Sequence, residues 1–336
     1  MSDSRTPRQD SATLPTRADV VATAQLLEGR VVRTPLLRAP CLDQRTGGRI
    51  LLKLENLQHT NSFKFRGAMS RMLRLDADER ARGVLAWSSG NHAQAVAAAA
   101  EAMGLRATIV MPADAPAVKR RRTERSGARI LTYDRRTEDR EAIGRALAAE
   151  EGQVIIPPYE DRWVMAGQGT AGLEILAQSA EQDLHPEALL VCTGGGGLTA
   201  GCALALEGTG AAVHTVEPEG YDDHARSLAS GIRLAADLSR ASICDALLAP
   251  MPGEMTFAVN RDRVRSGLVV SEDEVRAAVA YAFEELRLVV EPGGAVALAA
   301  ILAGRIPTKG RTLAVMVSGG NIDPVLLQEI LAARGP

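Results

Sequence analysis

Lysine is the residue type in this chain whose rarity points most directly to covalent chemistry. Only four lysines occur among the 39 basic residues, and the remainder are arginines. A primary amine can lose its proton and attack a carbonyl carbon, whereas a guanidinium effectively cannot. Lys64 lies between Phe63 and Phe65, and apolar neighbours lower the pKa of an amine by desolvation. The sequence therefore favours Lys64 as a nucleophile, with a snorkelling surface lysine as the alternative.

A run of four glycines is the second chemical signal. Gly194, Gly195, Gly196 and Gly197 follow an apolar stretch and precede Leu198 and a helix-like segment. Consecutive glycines allow several backbone N–H groups to point at one anion, and the N-terminus of the next helix adds a favourable dipole. This run is predicted to bind a phosphate, and a tight turn under a closely packed helix is the alternative. Because no Gly-Lys-Ser/Thr follows, the run is not a nucleoside-triphosphate loop.

Two polar segments follow other strand-like runs. Ser88-Ser89-Gly90-Asn91-His92 offers hydroxyls, an amide and backbone N–H groups, which suit a carboxylate. An ordinary helix N-cap is the alternative. Ser318-Gly319-Gly320-Asn321 follows an apolar run near the end of the chain. Ligands of open α/β sheets bind beyond the carboxyl ends of the strands, so we expect these segments to face one crevice.

The elements that must position these segments alternate between short β-like and longer helix-like runs. Strands are predicted at 50–54, 84–87, 107–111, 129–133, 153–156, 188–192, 213–216 and 312–317. Helices are predicted at 93–103, 117–125, 138–150, 169–178, 203–206 and 272–287. This order predicts an α/β architecture of two open parallel-sheet domains with helices on both faces.

The length of 336 residues suggests two domains. We predict a flexible tail at 1–16, a large domain of 17–81 and 159–336, and a small domain of 82–158 inserted in it. The formal net charge of −2 argues against nucleic-acid or membrane-surface partners. No apolar run is long enough to span a membrane. The four cysteines form no CxxC pair, which fits a cytoplasmic protein without a disulfide framework.

Two motifs are weaker than their patterns suggest. Gly167-Gln168-Gly169-Thr170-Ala171-Gly172 matches the Gly-x-Gly-x-x-Gly of dinucleotide-binding proteins. The residues before it form a poor strand, and Cys192 rather than an acidic residue stands twenty positions after Gly172. Packing glycines at a helix start are the better interpretation, and a nicotinamide oxidoreductase stays a minor alternative. The basic run 119–122 is interpreted as a solvated helix face.

The motifs Ser-Phe-Lys-x-Arg-Gly-Ala, Ser-Ser-Gly-Asn-His, Gly-Gly-Gly-Gly-Leu and Ser-Gly-Gly-Asn, in this order, resemble the β-family (fold type II) of pyridoxal-phosphate enzymes. Within that family the chain is most similar to the threonine/serine dehydratase and serine racemase branch. The resemblance extends from about Thr34 to Asp323. It implies a fold like that of the tryptophan synthase β subunit, pyridoxal 5'-phosphate as cofactor, an amino-acid substrate and a homodimer.

The resemblance also implies a role for each matching residue. Lys64 would carry the cofactor as a Schiff base and remove the α-proton, and Ser89 would be the acid on the opposite face. The cofactor-binding residues would be Phe63, Lys64, Asn91, Gly194, Gly195, Gly196, Gly197, Leu198 and Ser318. The substrate-binding residues would be Ser88, Ser89, Asn91, His92 and Arg140.

The acidic loop 217–223 resembles the divalent-metal loop of the racemase branch. The carboxylates of Glu217 and Asp223 and the backbone carbonyl of Tyr221 would bind Mg²⁺ or Ca²⁺. An acidic surface loop is the alternative.

The implied activity is dehydration and deamination of a β-hydroxy amino acid, L-threonine or L-serine, to a 2-oxo acid and ammonia. Two alternatives remain: a serine racemase, and a 3-hydroxyaspartate dehydratase in which Arg140 binds the distal carboxylate. Tyr159 stands where the family commonly has asparagine or phenylalanine, and Ala246 where it usually has glycine. These departures leave the identity of the substrate open.

Overall fold

The computed structural model describes residues 13–115 and 117–333. Most of the predicted tail, residues 1–12, lies outside the described residues. The first described helix begins after Thr16, whose hydroxyl accepts a hydrogen bond from the Asp19 N–H while the Asp19 carboxylate accepts one from the Thr16 N–H. This reciprocal capping fixes the start of the helix.

Strands and helices alternate along most of the chain. The strands are β1 Leu36–Arg38, β2 Arg49–Leu54, β3 Val84–Trp87, β4 Ala107–Pro112, β5 Arg129–Tyr133, β6 Val154–Ile155, β7 Ala188–Cys192, β8 Ala212–Pro218, β9 Val264–Val270 and β10 Thr312–Val317. The helices are α1 Arg17–Leu27, α2 Pro40–Thr46, α3 Lys64–Met72, α4 Ala77–Arg82, α5 Asn91–Ala102, α6 Ala117–Arg125, α7 Arg140–Glu151, α8 Arg162–Ala180, α9 Gly197–Ala205, α10 Asp223–Ser230, α11 Glu254–Arg263, α12 Glu272–Glu284, α13 Pro292–Leu302 and α14 Pro324–Ala332.

The strands form two separate sheets. The larger has the order β1-β2-β10-β7-β8-β9, and the smaller has the order β5-β4-β3-β6. All neighbours are parallel except β1 and β2, which are antiparallel. Parallel strands buried on both faces are expected to be apolar throughout, and β7 and β10 meet this expectation.

Each sheet is covered by helices on both faces. Along β2, Ile50 and Leu52 face a core shared with α12 and α13, whereas Leu51 faces a second core shared with α8 and α9. The smaller sheet divides in the same way: Val84 packs toward α5, and Leu85 packs toward α7. The predicted α/β class with two open parallel sheets is confirmed. None of the described helices is long and apolar enough to cross a membrane.

The Gly-x-Gly-x-x-Gly motif lies inside α8 and has no strand directly before it among the described residues. A Cβ atom on Gly167 would lie 2.6 Å from the Arg66 carbonyl oxygen, and one on Gly169 would lie 2.5 Å from the Gly201 carbonyl oxygen. These glycines allow α8 to touch α3 and α9 through backbone atoms. The predicted packing role of these glycines is confirmed. Their predicted position at the start of a helix is wrong, because α8 begins earlier, where the Asp161 carboxylate accepts the first free N–H groups.

Candidate functional site

The predicted site residues follow the carboxyl ends of strands in both sheets. Lys64 lies beyond β2, Ser318 follows β10, the glycine run follows β7, and Ser88 follows β3. The segments that follow β2 and β10 contact each other, because the Phe63 N–H donates to the Ser318 carbonyl over 3.2 Å. This edge of the larger sheet is where ligands of parallel sheets bind.

Lys64 is the first residue of α3, and its side chain is half-buried. Its Nζ donates to the Pro158 carbonyl over 2.8 Å and lies 5.0 Å from the centre of the Phe63 ring. Burial lowers the pKa of this amine to about 8, so about a tenth of it is neutral at pH 7, far more than for an ordinary lysine. The structure therefore gives Lys64 the properties of a nucleophilic amine.

A buried ionic network anchors α3 directly behind Lys64. The Arg66 side chain is fully buried and donates to both carboxylate oxygens of Glu55 and of Glu174, with all four distances between 2.7 and 2.8 Å. Lys53, also fully buried, donates to the same Glu174 over 2.6 Å and to Gln178 over 2.8 Å. Burial lowers the pKa of Lys53, and the nearby carboxylates raise it in part. Breaking such a buried network is strongly destabilising.

This network was not predicted from the sequence. The rarity of lysine marked Lys53 as well as Lys64, and Arg66 belongs to the Ser-Phe-Lys-x-Arg-Gly-Ala motif. Their shared partner Glu174 lies more than 100 positions further along the chain. The fold alone brings these charges together.

The glycine run forms a tight loop with no room for side chains. A Cβ atom on Gly195 would lie 2.3 Å from Cε1 of Tyr159, and one on Gly197 would lie 2.8 Å from Oε1 of Gln168. Gly196 has a φ of +92°, which L-residues rarely adopt, and caps α9. The loop thus presents backbone rather than side chains at the start of a helix. This arrangement fits a phosphate group, as the sequence predicts.

Ser318 and Asn91 belong to a buried polar cluster beyond β10. Asn91 Nδ2 donates to Glu291 Oε1 over 2.5 Å, and Asn91 Oδ1 accepts from Asn321 Nδ2 over 2.8 Å. Both ends of the Asn91 amide are therefore fixed. The buried Ser318 hydroxyl lies against the Cys192 thiol, whose pKa is raised by burial.

The Ser88–His92 segment forms the turn between β3 and α5. Ser88 Oγ accepts from the Gly90 N–H over 3.1 Å, and Ser89 is half-buried. Burial, together with the Lys64 charge, lowers the pKa of His92 to about 3. His92 is therefore neutral, and its Nε2–H donates to the Ile156 carbonyl over 2.8 Å. Lys64 Nζ donates to the Pro158 carbonyl, two residues further along, so this turn and Lys64 bind the same short segment.

Arg140 is the first residue of α7, and its side chain is exposed. Its charge lowers the pKa of Tyr159, although burial and the Glu141 charge raise that pKa overall. The Arg140 charge therefore reaches Tyr159, which lies against Gly195 of the glycine loop. Across the described ranges, no carboxylate forms an ion pair with it.

The predicted metal residues lie at the junction of β8 and α10. Glu217 is fully buried, and its two oxygens accept the N–H groups of His224 and Ala225, each over 2.8 Å. Asp223 Oδ2 is buried without a partner among the described residues. Burial and the Asp223 charge raise the pKa of Glu217 well above its ordinary value, and burial raises that of Asp223 to about 7.

Two buried carboxylates of like charge, one with a free oxygen, suit a hard divalent cation with oxygen ligands. Within residues 13–115 and 117–333, no cluster of three or more His, Cys, Asp or Glu side chains is arranged to hold a metal. The predicted site needs only two carboxylates and the Tyr221 carbonyl. It therefore stays a prediction.

Comparison with known proteins identifies the family. A family model described as "Pyridoxal-phosphate dependent enzyme" matches residues 27–319. The chain belongs to this family. The solved structure of a threonine deaminase from T.th. superposes with a TM-score of 0.87 and 42% identity, covering 92% of this chain and 99% of that one. The fold type II interpretation and the cofactor pyridoxal phosphate are confirmed.

Two curated relatives narrow the activity of this pyridoxal-phosphate enzyme. An L-threo-3-hydroxyaspartate ammonia-lyase from a Pseudomonas species is 42% identical over 307 residues, which are 91% of this chain and 95% of the relative. The serine racemase of Schizosaccharomyces pombe is 36% identical and covers 94% of this chain and 96% of its own. The chain is thus a member of the ammonia-lyase and racemase group. The predicted preference for L-threonine or L-serine is not confirmed.

Proposed function

We propose that this chain is an ammonia-lyase that converts 3-hydroxyaspartate to oxaloacetate and ammonia. The observation that carries the proposal is Arg140, which is exposed and unpaired within the described ranges and whose charge reaches Tyr159, beside a site that already offers groups for one carboxylate. A second substrate carboxylate gives this cation a partner, and charge-assisted hydrogen bonds from arginine are strong and directional. L-Serine and L-threonine lack that carboxylate. The similarity to the Pseudomonas enzyme supports the same choice.

The residues present fit pyridoxal phosphate. Lys64 would hold its carbonyl carbon, the Gly194–Gly197 backbone and Leu198 its phosphate, and Ser318 its ring nitrogen. Phe63 and Asn91 would contact the ring and its phenolic oxygen. When bound, the cofactor delocalises the electron pair left at the α-carbon after proton removal.

The protein's own contribution is to place groups and move protons. The half-buried Lys64 amine, with a pKa of about 8, accepts the α-proton at Nζ. Ser88, Ser89 and the N-terminus of α5 bind the α-carboxylate, and neutral His92 fixes this turn through the Ile156 carbonyl. The β-hydroxyl leaves as hydroxide, and together with the proton taken from the α-carbon by Lys64 it accounts for one molecule of water. The resulting enamine hydrolyses to the 2-oxo acid and ammonia.

The proposal is tested with a substrate panel and an Arg140→Gln variant. Wild-type protein is expected to have a higher kcat/KM for 3-hydroxyaspartate than for L-serine or L-threonine. Arg140→Gln should raise the KM for 3-hydroxyaspartate roughly 10- to 100-fold, since a charged hydrogen bond contributes about 1.5–3 kcal/mol. The KM for L-serine should change less than about threefold.

Arg136→Gln is the matched control, because Arg136 is exposed and precedes the same helix but stands four positions earlier. It should leave all three substrates unaffected. A wild-type preference for L-serine or L-threonine would contradict the proposal and would support the substrates that the sequence predicts. An equal loss for every substrate in Arg140→Gln would show that Arg140 does not distinguish the second carboxylate.

Serine racemisation is a second candidate activity. It is favoured by the position of Ser89 in the turn that binds the same short segment as Lys64 and by the similarity to the Schizosaccharomyces pombe racemase. Racemisation needs a second proton donor on the face opposite Lys64, whereas elimination does not. Ser89 is the residue that would fill this role.

A further inference from the structure

Two buried polar side chains of α11 bind the glycine run, and the proposed reaction uses neither of them. The Thr256 hydroxyl donates to the Gly195 carbonyl over 2.7 Å, which is closer than the Gly253 carbonyl of its own helical turn at 3.2 Å. Asn260 Nδ2 donates to the Gly196 carbonyl over 3.3 Å. Both side chains are fully buried. Helix α11 therefore binds two successive carbonyl groups of the run.

The start of α11 is itself fixed by Glu160. The Glu160 carboxylate accepts the Met255 N–H and so caps the helix. A Cβ atom on Gly253 would lie 1.7 Å from Oε2 of Glu160, so a side chain at this position would displace the carboxylate. The Gly253 N–H donates in turn to the Gly195 carbonyl over 3.3 Å. Two donors at the start of α11, this N–H and the Thr256 hydroxyl, therefore converge on one carbonyl.

The carbonyl groups bound by α11 determine where the N–H groups of the run point. In a trans peptide the carbonyl of one residue and the N–H of the next point in opposite directions, and the described backbone contains no cis peptide. The Gly195 and Gly196 carbonyls held toward α11 therefore turn the N–H groups of Gly196 and Gly197 away from it. In the described part of the chain, no acceptor binds the N–H of Gly195, Gly196 or Gly197. Free N–H groups at a helix N-terminus favour an anion.

We propose that Thr256 is a positioning residue of the phosphate-binding loop, whose hydroxyl holds the Gly195 carbonyl and so keeps the Gly196 N–H directed at the phosphate. Consecutive glycines restrain their own backbone very little, since glycine adopts both signs of φ. The orientation of this peptide plane must therefore be set by a group outside the run. A carbonyl oxygen turned toward the phosphate would repel it. This inference rests on the proposed assignment of the glycine loop as the phosphate site.

The test compares pyridoxal phosphate with pyridoxal, which has the same aldehyde but no phosphate. Dissociation constants are measured by visible absorbance on the full chain stripped of cofactor. Thr256→Val keeps the shape of the side chain without the hydroxyl and should weaken binding of pyridoxal phosphate about three- to tenfold, the usual value of one hydrogen bond. Binding of pyridoxal should stay within about twofold. Thr256→Ser, which keeps the donor, should restore most of the affinity for pyridoxal phosphate.

Thr215→Val is the matched control. Thr215 is another fully buried threonine, on β8, but its hydroxyl has no hydrogen-bond partner among the described residues. Its substitution should leave both constants unchanged. An equal loss for the two ligands in Thr256→Val, no loss, a Ser variant as weak as the Val variant, or the same selective loss in Thr215→Val overturns the proposal. If Thr256→Val does not fold, Thr256→Ala replaces it with the same expected outcomes.

Gly197→Ala separates this inference from the assignment on which it rests. A Cβ atom on Gly197 would lie 2.8 Å from Oε1 of Gln168 and 2.8 Å from Cβ of Tyr159. The substitution should therefore distort the loop and weaken binding of pyridoxal phosphate more than binding of pyridoxal. Equal effects on the two ligands in Gly197→Ala would show that the loop is not the phosphate site. A selective loss there, without one in Thr256→Val, would overturn only the role of Thr256.

Discussion

At the scale of residues, Lys53 and Lys64 show what the rarity of a residue type in a sequence can and cannot reveal. Lys64 was predicted because two aromatic neighbours flank it in the chain. Lys53 carries no such local signal, and its three acceptors come from separate parts of the fold: the Thr34 carbonyl, Glu174 and Gln178. A compact amine with three donors suits such a site better than a planar guanidinium.

Ser89 separates elimination from racemisation. Ser89→Ala is expected to reduce interconversion of L- and D-serine by roughly 10²–10⁴, the usual value of a positioned acid–base group. Dehydration of 3-hydroxyaspartate or L-serine should fall much less, because Lys64 alone removes the α-proton. Both products, D-serine and 2-oxo acid, can be measured in one L-serine reaction.

Ser88→Ala is the matched variant, since the Ser88 hydroxyl already accepts the Gly90 N–H. It is expected to affect both products equally. Racemisation at the wild-type rate in Ser89→Ala would contradict the assignment of the second acid. A loss of elimination with racemisation retained would show that the roles of Lys64 and Ser89 on the two faces of the cofactor are the reverse of those assigned.

At the scale of elements, the strands were easier to predict than the helices. Apolar runs bounded by glycine or polar residues predicted β3, β5, β7 and β10 with the observed bounds. Helix α13 was missed because it is apolar on every side and lacks the periodicity of a half-exposed helix. Helix α3, which carries Lys64, has no side-chain N-cap to mark its start.

The junction of β8 and α10 is where a divalent cation is proposed to bind. Mg²⁺ should raise the Tm and a chelator should lower it, since a ligand at about 100 times its Kd stabilises the folded state by about 2.7 kcal/mol. Asp223→Asn should abolish the response, because Asp223 Oδ2 is the buried oxygen left without a partner in the described part of the chain. The measurement is a melting curve with and without each reagent.

Asp222→Asn provides the control for that experiment. Asp222 is the preceding residue, and its carboxylate pairs with Arg226 over 3.1 Å. The Mg²⁺ response should survive in this variant. A wild-type melting curve unaffected by both Mg²⁺ and chelator would contradict the predicted metal site and leave the two carboxylates as an acidic pair without a cation.

At the scale of the whole molecule, the two sheets meet through polar contacts that the sequence could not reveal. The basic run 119–122 was interpreted as a solvated helix face, but Arg122 is half-buried and donates to Asn321 Oδ1 over 2.6 Å. Asn321 also donates to Asn91, so α5 and α6 both bind the segment beyond β10. These partners lie about 200 positions apart. Local sequence patterns predict where the strands end. Only the folded structure shows which of the segments that follow them contact one another.

The predicted limits of the large and small domains, and the homodimer, stay predictions. The four-stranded sheet does draw all its strands from 82–158. The family was predicted from the resemblance of the motifs and their order, and the structure places these motifs after strands of both sheets. The substrate could not be predicted in the same way, since Arg140 and Tyr159 belong to different parts of the chain, Arg140 at the start of α7 and Tyr159 just before α8.

The most direct test of the whole account is whether Lys64 holds the cofactor. Purified Lys64→Ala and Lys64→Arg should lack the visible absorbance band of covalently bound pyridoxal phosphate and should lose turnover, because neither alanine nor a guanidinium supplies a usable amine. Lys309→Ala, which removes an exposed lysine, should keep both the band and turnover. A Lys64→Ala protein that retained the band and near-normal turnover would contradict the central claim.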